Sequence, residues 1–80
     1  MNLKKYDNTL LVKRYKGSKL TMRGIVERAK EIDPQGKGIS LGTVQRILSL
    51  PGFEPFPSSL CLICAVFEIS PASLFVEYEA

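Results

Sequence analysis

Apolar residues recur at intervals of three and four over short segments of this chain, and this spacing limits the possible folds most strongly. In the segment GKGISLGTVQRIL, residues 36–48, the side chains of Val44, Ile47 and Leu48 fall on one side of a helix that Ser40 can cap. The opposite side carries small or polar residues and a single arginine. No apolar pattern of period two persists along the chain, so we expect a compact bundle of short helices.

Caps and helix breakers divide the chain into four or five predicted helices, so the expected fold class is all-α, in a single domain over residues 1–80. The predicted helices cover residues 8–16, 22–32, about 40–49, 58–68 and a short last segment from Pro71. Asp7 or Asn8 is placed to cap the first helix, and Thr21 the second.

The composition limits the classes of function. Eighty residues with 45% hydrophobic content provide one small core, and the two cysteines, Cys61 and Cys64, cannot supply a disulfide framework. The chain has no histidine, and both cysteines lie in an apolar helical run. We therefore expect the cysteines to pack in the core and not to bind a metal. Since no catalytic motif is present, we expect neither an enzyme nor a cofactor nor a small-molecule substrate.

The segments that bear on localisation are short. In MNLKKYDN, at the amino terminus, no apolar run follows the lysines, so we expect no signal peptide. The longest apolar run, LCLICAVF at residues 60–67, is far too short to cross a bilayer. These features predict a cytoplasmic protein that does not act at a membrane.

Charge is divided unequally along the chain. All eleven basic residues lie at or before Arg46, together with four acids, which gives this part a net charge of +7. Residues 47–80 contain four acids and no base, a net charge of −4. A basic half that faces away from an acidic half favours a polyanionic partner. The alternative is two ordinary solvated faces that segregate by chance.

Four landmarks in the right order resemble the phage repressor and Cro-type helix-turn-helix domains, also called lambda-repressor-like, over residues 8–75. LTMRGIV resembles the leucine, the cap and the start of helix two, and ISLGTVQRI resembles the recognition helix. PFPSSLCLICAVFEIS and SPASLF resemble the last two helices of the family. The resemblance implies a helix-turn-helix unit over about residues 21–49, with its second helix in the DNA major groove.

The resemblance also implies which side chains contact DNA. The candidate base-reading residues are Leu41, Gly42, Thr43, Gln45 and Arg46. The candidate phosphate-binding residues are Lys19, Thr21, Arg23, Lys37 and Ser40. Arg46 is the strongest candidate, because a guanidinium group pairs with the edge of guanine through two hydrogen bonds. Met22 stands where the family commonly has a phosphate-binding glutamine, so Lys19 and Arg23 must supply that contact.

Two loops depart from the family pattern. KEIDPQGKG occupies the place of a tight turn, and Lys37 with the backbone N–H groups of Gly36 and Gly38 is placed to meet a phosphate there. A floppy insertion is the alternative. After the third helix, SLPGFEP contains no base and is therefore a poor phosphate ligand.

The carboxyl-terminal part has more apolar surface than one small core can bury, which favours a homodimer. The candidate dimer-interface residues are Leu62, Val66, Phe75, Val76 and Tyr78. The alternative is a fuller core in which Phe53 and Phe56 cover the fourth helix. The tail FVEYEA alternates apolar and acidic residues, as in a short strand that pairs with its copy in a second chain. A frayed end is the alternative for the tail.

We therefore expect sequence-specific binding of double-stranded DNA by a dimeric transcriptional regulator or repressor. The alternative is a protein-interaction module on the same fold, antitoxin-like or partner-binding, that does not read DNA. Salt dependence distinguishes the two, because DNA binding releases counterions and an apolar protein contact does not.

Overall fold

The computed structural model describes residues 2–79, which form four α-helices and a two-stranded antiparallel sheet. The elements are β1 (Asn2–Tyr6), α1 (Thr9–Gly17), α2 (Met22–Ile32), α3 (Leu41–Ser49), α4 (Pro57–Val66), a 3₁₀ helix (Pro71–Leu74) and β2 (Phe75–Glu79). The four longer predicted helices are confirmed to within two residues at each end. The expected bundle of short helices is confirmed as a mostly helical domain, and the two ends of the chain also pair as a short sheet, which the all-α class did not include.

The core lies where α2 packs against α3 and α4. The largest fully buried side chains are Leu11, Ile25, Val44, Ile47, Ile63, Cys64 and Leu74. On α4 the buried positions Leu60, Ile63 and Cys64 follow helical spacing, and Cys61 lies outside this stripe and is exposed. The expected packing in the core is therefore correct for Cys64 and wrong for Cys61. Burial raises the pKa of the Cys64 thiol to about 11.

Side-chain caps fix the starts of α2 and α3, as predicted. The Thr21 hydroxyl oxygen accepts a hydrogen bond from the N–H of Gly24 at 3.0 Å. The Ser40 hydroxyl oxygen accepts one from the N–H of Thr43 at 3.2 Å. Each cap satisfies a backbone donor that the first helical turn leaves free, so both helices begin at defined residues.

The start of α1 is held differently. Asn8 is the residue before the helix, but its side chain makes no capping hydrogen bond. Instead its amide nitrogen donates to the carbonyl of Ile47 at 3.0 Å in the protein interior. The neighbouring Asp7 carboxylate accepts from the N–H of Thr9 at 2.7 Å and also from the Thr9 hydroxyl. Asn8 therefore ties the start of α1 to the carboxyl end of α3.

Helix α4 begins one residue earlier and ends two residues earlier than predicted. Pro57 occupies its first position, where the missing N–H has no cost. At the other end Glu68 has a φ of 56°, in the left-handed region. The N–H of Ile69 donates to the carbonyl of Cys64 at 2.9 Å, which closes the helix end. The chain therefore leaves the helix before Glu68.

The sheet joins the two ends of the chain. In its register Tyr6 lies opposite Phe75, and Lys4 lies opposite Glu77. The predicted carboxyl-terminal strand is confirmed, but its observed partner is β1 of the same chain and not a copy of the tail. The expectation that the basic half faces away from the acidic half is wrong at this end, because β1 and the acidic tail are neighbours.

Among residues 2–79, no helix is both long and apolar enough to cross a membrane.

Candidate nucleic-acid interface

Helix α3 has one exposed face and one buried face. Its exposed residues are Gly42, Gln45, Arg46 and Ser49, and its buried residues are Val44, Ile47 and Leu48. The other two predicted base-reading residues, Leu41 and Thr43, lie at the amino end of α3 and are half-buried. The apolar stripe thus fixes the helix to the core and leaves a small, polar and singly positive surface in solvent.

An open groove of about 430 Å³ follows this exposed face. Met22, at the start of α2, lines the groove together with Gly42, Gln45 and Arg46 of α3. In the described part of the chain, no atom outside the helix lies within 4 Å of the point where a side chain on Gly42 would begin. A ligand can therefore approach the backbone of α3 closely at Gly42.

The polar groups of this face have free hydrogen-bonding capacity. Within residues 2–79 the Arg46 guanidinium forms no hydrogen bond or ion pair; the ion pair found there, at 3.3 Å, joins Arg28 to Glu31. Thr43 accepts a hydrogen bond from the Ser40 hydroxyl at 2.9 Å and keeps its own hydroxyl proton for another acceptor. Arg46 and Thr43 are thus available to a partner.

All five predicted phosphate-binding side chains are exposed: Lys19, Thr21, Arg23, Lys37 and Ser40. Lys19, Thr21 and Arg23 lie at the start of α2, and Lys37 and Ser40 precede α3. Thr21 and Ser40 cap these helices, and the positive charge of the segments that precede or begin α2 and α3 comes from Lys19, Arg23 and Lys37.

The loop between α2 and α3 is held by the carboxylate of Asp33. This carboxylate accepts hydrogen bonds from the N–H groups of Gln35 at 3.0 Å, Lys37 at 3.1 Å and Gly38 at 2.8 Å. The N–H of Gly36 donates to the Asp33 carbonyl at 2.9 Å. The three hydrogen bonds to the carboxylate, with that of Gly38 first, lower the pKa of the Asp33 carboxyl group.

Two predictions for this loop are therefore corrected. The backbone N–H groups of Gly36 and Gly38 are not free to meet a phosphate, since Asp33 already accepts from both. The loop is also not a floppy insertion, because four hydrogen bonds fix it to the end of α2. The exposed side chain of Lys37 remains a candidate for phosphate contact.

Sequence reasoning missed two bases on α1. Lys13 and Lys16 line a second cleft, between α1 and the carboxyl end of α3, and Ser49 lines both this cleft and the groove of α3. Their spacing of three residues on a helix indicates a shared face. A third base on α1, Arg14, lies with a guanidinium nitrogen 3.5 Å from the carbonyl oxygen of Phe67, just after α4.

The predicted dimer-interface residues fall into three groups. Leu62, Val66 and Phe75 are half-buried and pack against the core, and the Phe75 ring meets that of Tyr6 edge-on at 5.8 Å. Val76 is 45% exposed. Tyr78 belongs to β2 by its backbone, and its side chain lies outside the described part of the chain.

The surface around Val76 contains apolar residues that the sequence did not indicate. Leu10 lines one groove with Val76 and another with Val66 and Leu20. Leu20 is 37% exposed. These four residues form what we call the α1–β2 apolar surface.

The two phenylalanines expected to cover α4 have different positions. Phe53 is half-buried and packs against the core, whereas Phe56 is 82% exposed. The fuller core therefore includes Phe53 and excludes Phe56.

No protein-family model, curated protein or solved structure gives a significant match to this chain. The resemblance to repressor domains therefore depends on the landmarks in the sequence.

Proposed function

We propose that this protein is a sequence-specific, double-stranded DNA-binding regulator of the repressor type, in which α3 enters the major groove. The observation that carries the proposal is the division of α3 into a buried apolar stripe and an exposed face with a free arginine. An α-helix with its side chains is about 10–12 Å across, so α3 fits a major groove about 12 Å wide.

Each candidate base-reading residue of α3 has a matching base-edge chemistry. Arg46 donates two hydrogen bonds to a guanine, and Gln45 exchanges donor and acceptor with an adenine. Thr43 offers a hydroxyl proton and a methyl group, the latter suited to a thymine. Gly42 allows the helix backbone to approach the bases. Leu41, which has no polar side-chain group, contacts a thymine methyl or packs inward.

Phosphate contacts position α3 on the duplex. Lys19 and Arg23 supply positive charge at the start of α2, and Lys37 supplies it before α3. Thr21 keeps its hydroxyl proton for a phosphate oxygen, because its cap uses only a lone pair. The Ser40 hydroxyl donates its proton to Thr43, so Ser40 contacts a phosphate only if that hydrogen bond breaks. Few strong phosphate contacts are expected beyond α3, because the loop that follows it contains no base.

The proposal includes a homodimer, since two copies of α3 one DNA turn apart read a two-part operator. The α1–β2 apolar surface supports this assembly, because Val76 and Leu20 are large apolar side chains exposed to solvent. Leu62, Phe75 and Tyr78 remain candidates at its edge.

A second candidate function has an observation in its favour. Leu50 is 51% exposed and Phe56 is 82% exposed, in the connection that follows α3. Exposed apolar residues beside a candidate interface are typical of protein contacts. In this alternative the chain is an interaction module that binds another protein without reading DNA.

The test compares Arg46→Ala with Arg28→Ala, which removes the same charge from the exposed face of α2. Binding is measured by fluorescence anisotropy on the best duplex site and on unrelated duplexes, over a range of salt. Arg46→Ala should weaken binding to the best site by about 1–3 kcal/mol and relax preference at one base pair. Arg28→Ala should change affinity little and leave preference intact. Equal effects of the two substitutions would remove Arg46 from base reading.

A further inference from the structure

The cleft between α1 and the carboxyl end of α3 has properties that DNA binding does not use. It holds about 490 Å³, a volume typical of small-molecule sites. Val12, Leu48 and Pro51 give it an apolar lining that solvent reaches. A flat surface for a nucleic-acid backbone would not need such a lining.

Two positive charges border this lining. Lys13 and Lys16 are both exposed and line the cleft. Neither forms a hydrogen bond or an ion pair with another described residue. Two free ammonium groups beside apolar surface favour an anion that carries an apolar body.

A buried polar group completes the site. Asn8 lines the cleft and is 6% exposed. Its amide nitrogen donates to the carbonyl of Ile47 at 3.0 Å, whereas no donor from residues 2–79 reaches its amide oxygen. This oxygen is not among the fully buried atoms without a partner, so solvent, or a donor on a ligand, can reach it.

We propose that this cleft binds a small organic carboxylate with an apolar body, such as a hydroxylated aromatic acid. Its carboxylate accepts from Lys13 and Lys16, its ring covers Val12 and Leu48, and its hydroxyl donates to Asn8. The inference does not depend on DNA binding. A ligand held in this way contacts α1 and the end of α3 together, so it stabilises their relative placement.

The experiment is an NMR titration of the full chain, followed through backbone amide shifts. The probe is 4-hydroxybenzoate, with hexanoate as a second carboxylate and 4-hydroxybenzyl alcohol as the neutral match. Each is added to about 20 mM, because ligands of this size bind weakly. The variants are Lys13→Gln, Lys16→Gln and the double substitution, and Lys4→Gln on β1 is the control.

Both carboxylates should give saturable amide shifts at cleft residues such as Val12 and Ser49. 4-Hydroxybenzoate should bind more tightly than hexanoate. The neutral alcohol should bind the wild type at least about tenfold more weakly than 4-hydroxybenzoate does. Either carboxylate should bind the double variant at least about tenfold more weakly than it binds the wild type. Lys4→Gln should leave binding unchanged.

Three results would overturn the proposal. They are the absence of saturable cleft shifts with both carboxylates, equal binding of the alcohol, and unchanged binding by the double variant. A loss of DNA affinity in the double variant, without carboxylate binding, would assign the two lysines to DNA phosphate instead.

Discussion

At the scale of single residues, the most unusual group is the hydroxyl of Tyr6. The side chain is 7% exposed, and its oxygen has no hydrogen-bond partner among the described residues. Burial, with smaller contributions from Cys64, Glu54 and Asp7, raises the pKa of Tyr6 to about 12. An unpaired buried hydroxyl costs stability, so the ring and not the oxygen accounts for the contribution of Tyr6 to the core.

Tyr6→Phe should leave the free energy of unfolding at pH 7 within about 0.5 kcal/mol of the wild type, or raise it by about 1 kcal/mol. The wild type should lose stability between pH 10 and 12, because the unfolded tyrosine, with a pKa near 10, ionises before the folded one. The variant should lose less over that range. Urea unfolding at pH 7 and pH 11 measures both effects. A loss above about 1 kcal/mol at pH 7 would mean that the hydroxyl has a partner.

At the scale of elements, the loop between α2 and α3 determines where α3 begins. Gly36 and Gly38 both have positive φ, at 70° and 67°. At Gly38 an added side chain would begin 3.0 Å from backbone atoms of Lys30, whereas at Gly36 the surrounding space is open. The close approach at Gly38 holds the loop against α2.

Two alanine substitutions separate these effects. Gly36→Ala should cost about 1–2 kcal/mol of unfolding free energy, because alanine disfavours positive φ. Gly38→Ala carries the same conformational cost and should lose about 1–3 kcal/mol more, because backbone must move. Chemical denaturation of the two variants gives the comparison. Equal losses would mean that the contact with Lys30 does not fix the loop.

The elements that were predictable from sequence are those determined locally. The helical spacing of Val44, Ile47 and Leu48 and the caps at Thr21 and Ser40 depend on neighbouring residues, and the structure has all of them as expected. Strand β1 was not predictable, because its partner β2 lies at the other end of the chain and its lysines hide any alternation.

The candidate site was predictable in part for the same reason. The exposed face of α3 follows from its helical spacing, so the positions of Gln45 and Arg46 were expected. The role of Asp33 was not, because it depends on how the glycine loop folds back on that carboxylate. The cleft at Lys13 was also not predictable, because it forms only when α1 packs beside α3, and no local sequence pattern indicates that packing.

At the scale of the whole molecule, the α1–β2 apolar surface predicts self-association. Val76→Glu should shift the protein from dimer to monomer in sedimentation experiments. The fold should tolerate the change, because residue 76 lies opposite Lys5 in the sheet and opposite charges across strands are favourable. Ala72→Glu, at an exposed position of the 3₁₀ helix, is the matched control and should leave the assembly unchanged. A variant at Val76 that sediments like the wild type would place any dimer interface elsewhere.

Sequence-specific recognition of duplex DNA is the central claim, and selection of bound sequences from a random duplex pool tests it most directly. The purified protein should enrich a defined motif, with a guanine whose selection is lost with Arg46→Ala. If the protein is a dimer, the motif should contain two related half-sites about one helical turn apart. Binding to the enriched duplex should weaken steeply as salt rises. A pool that stays random after repeated rounds at low salt would contradict the claim.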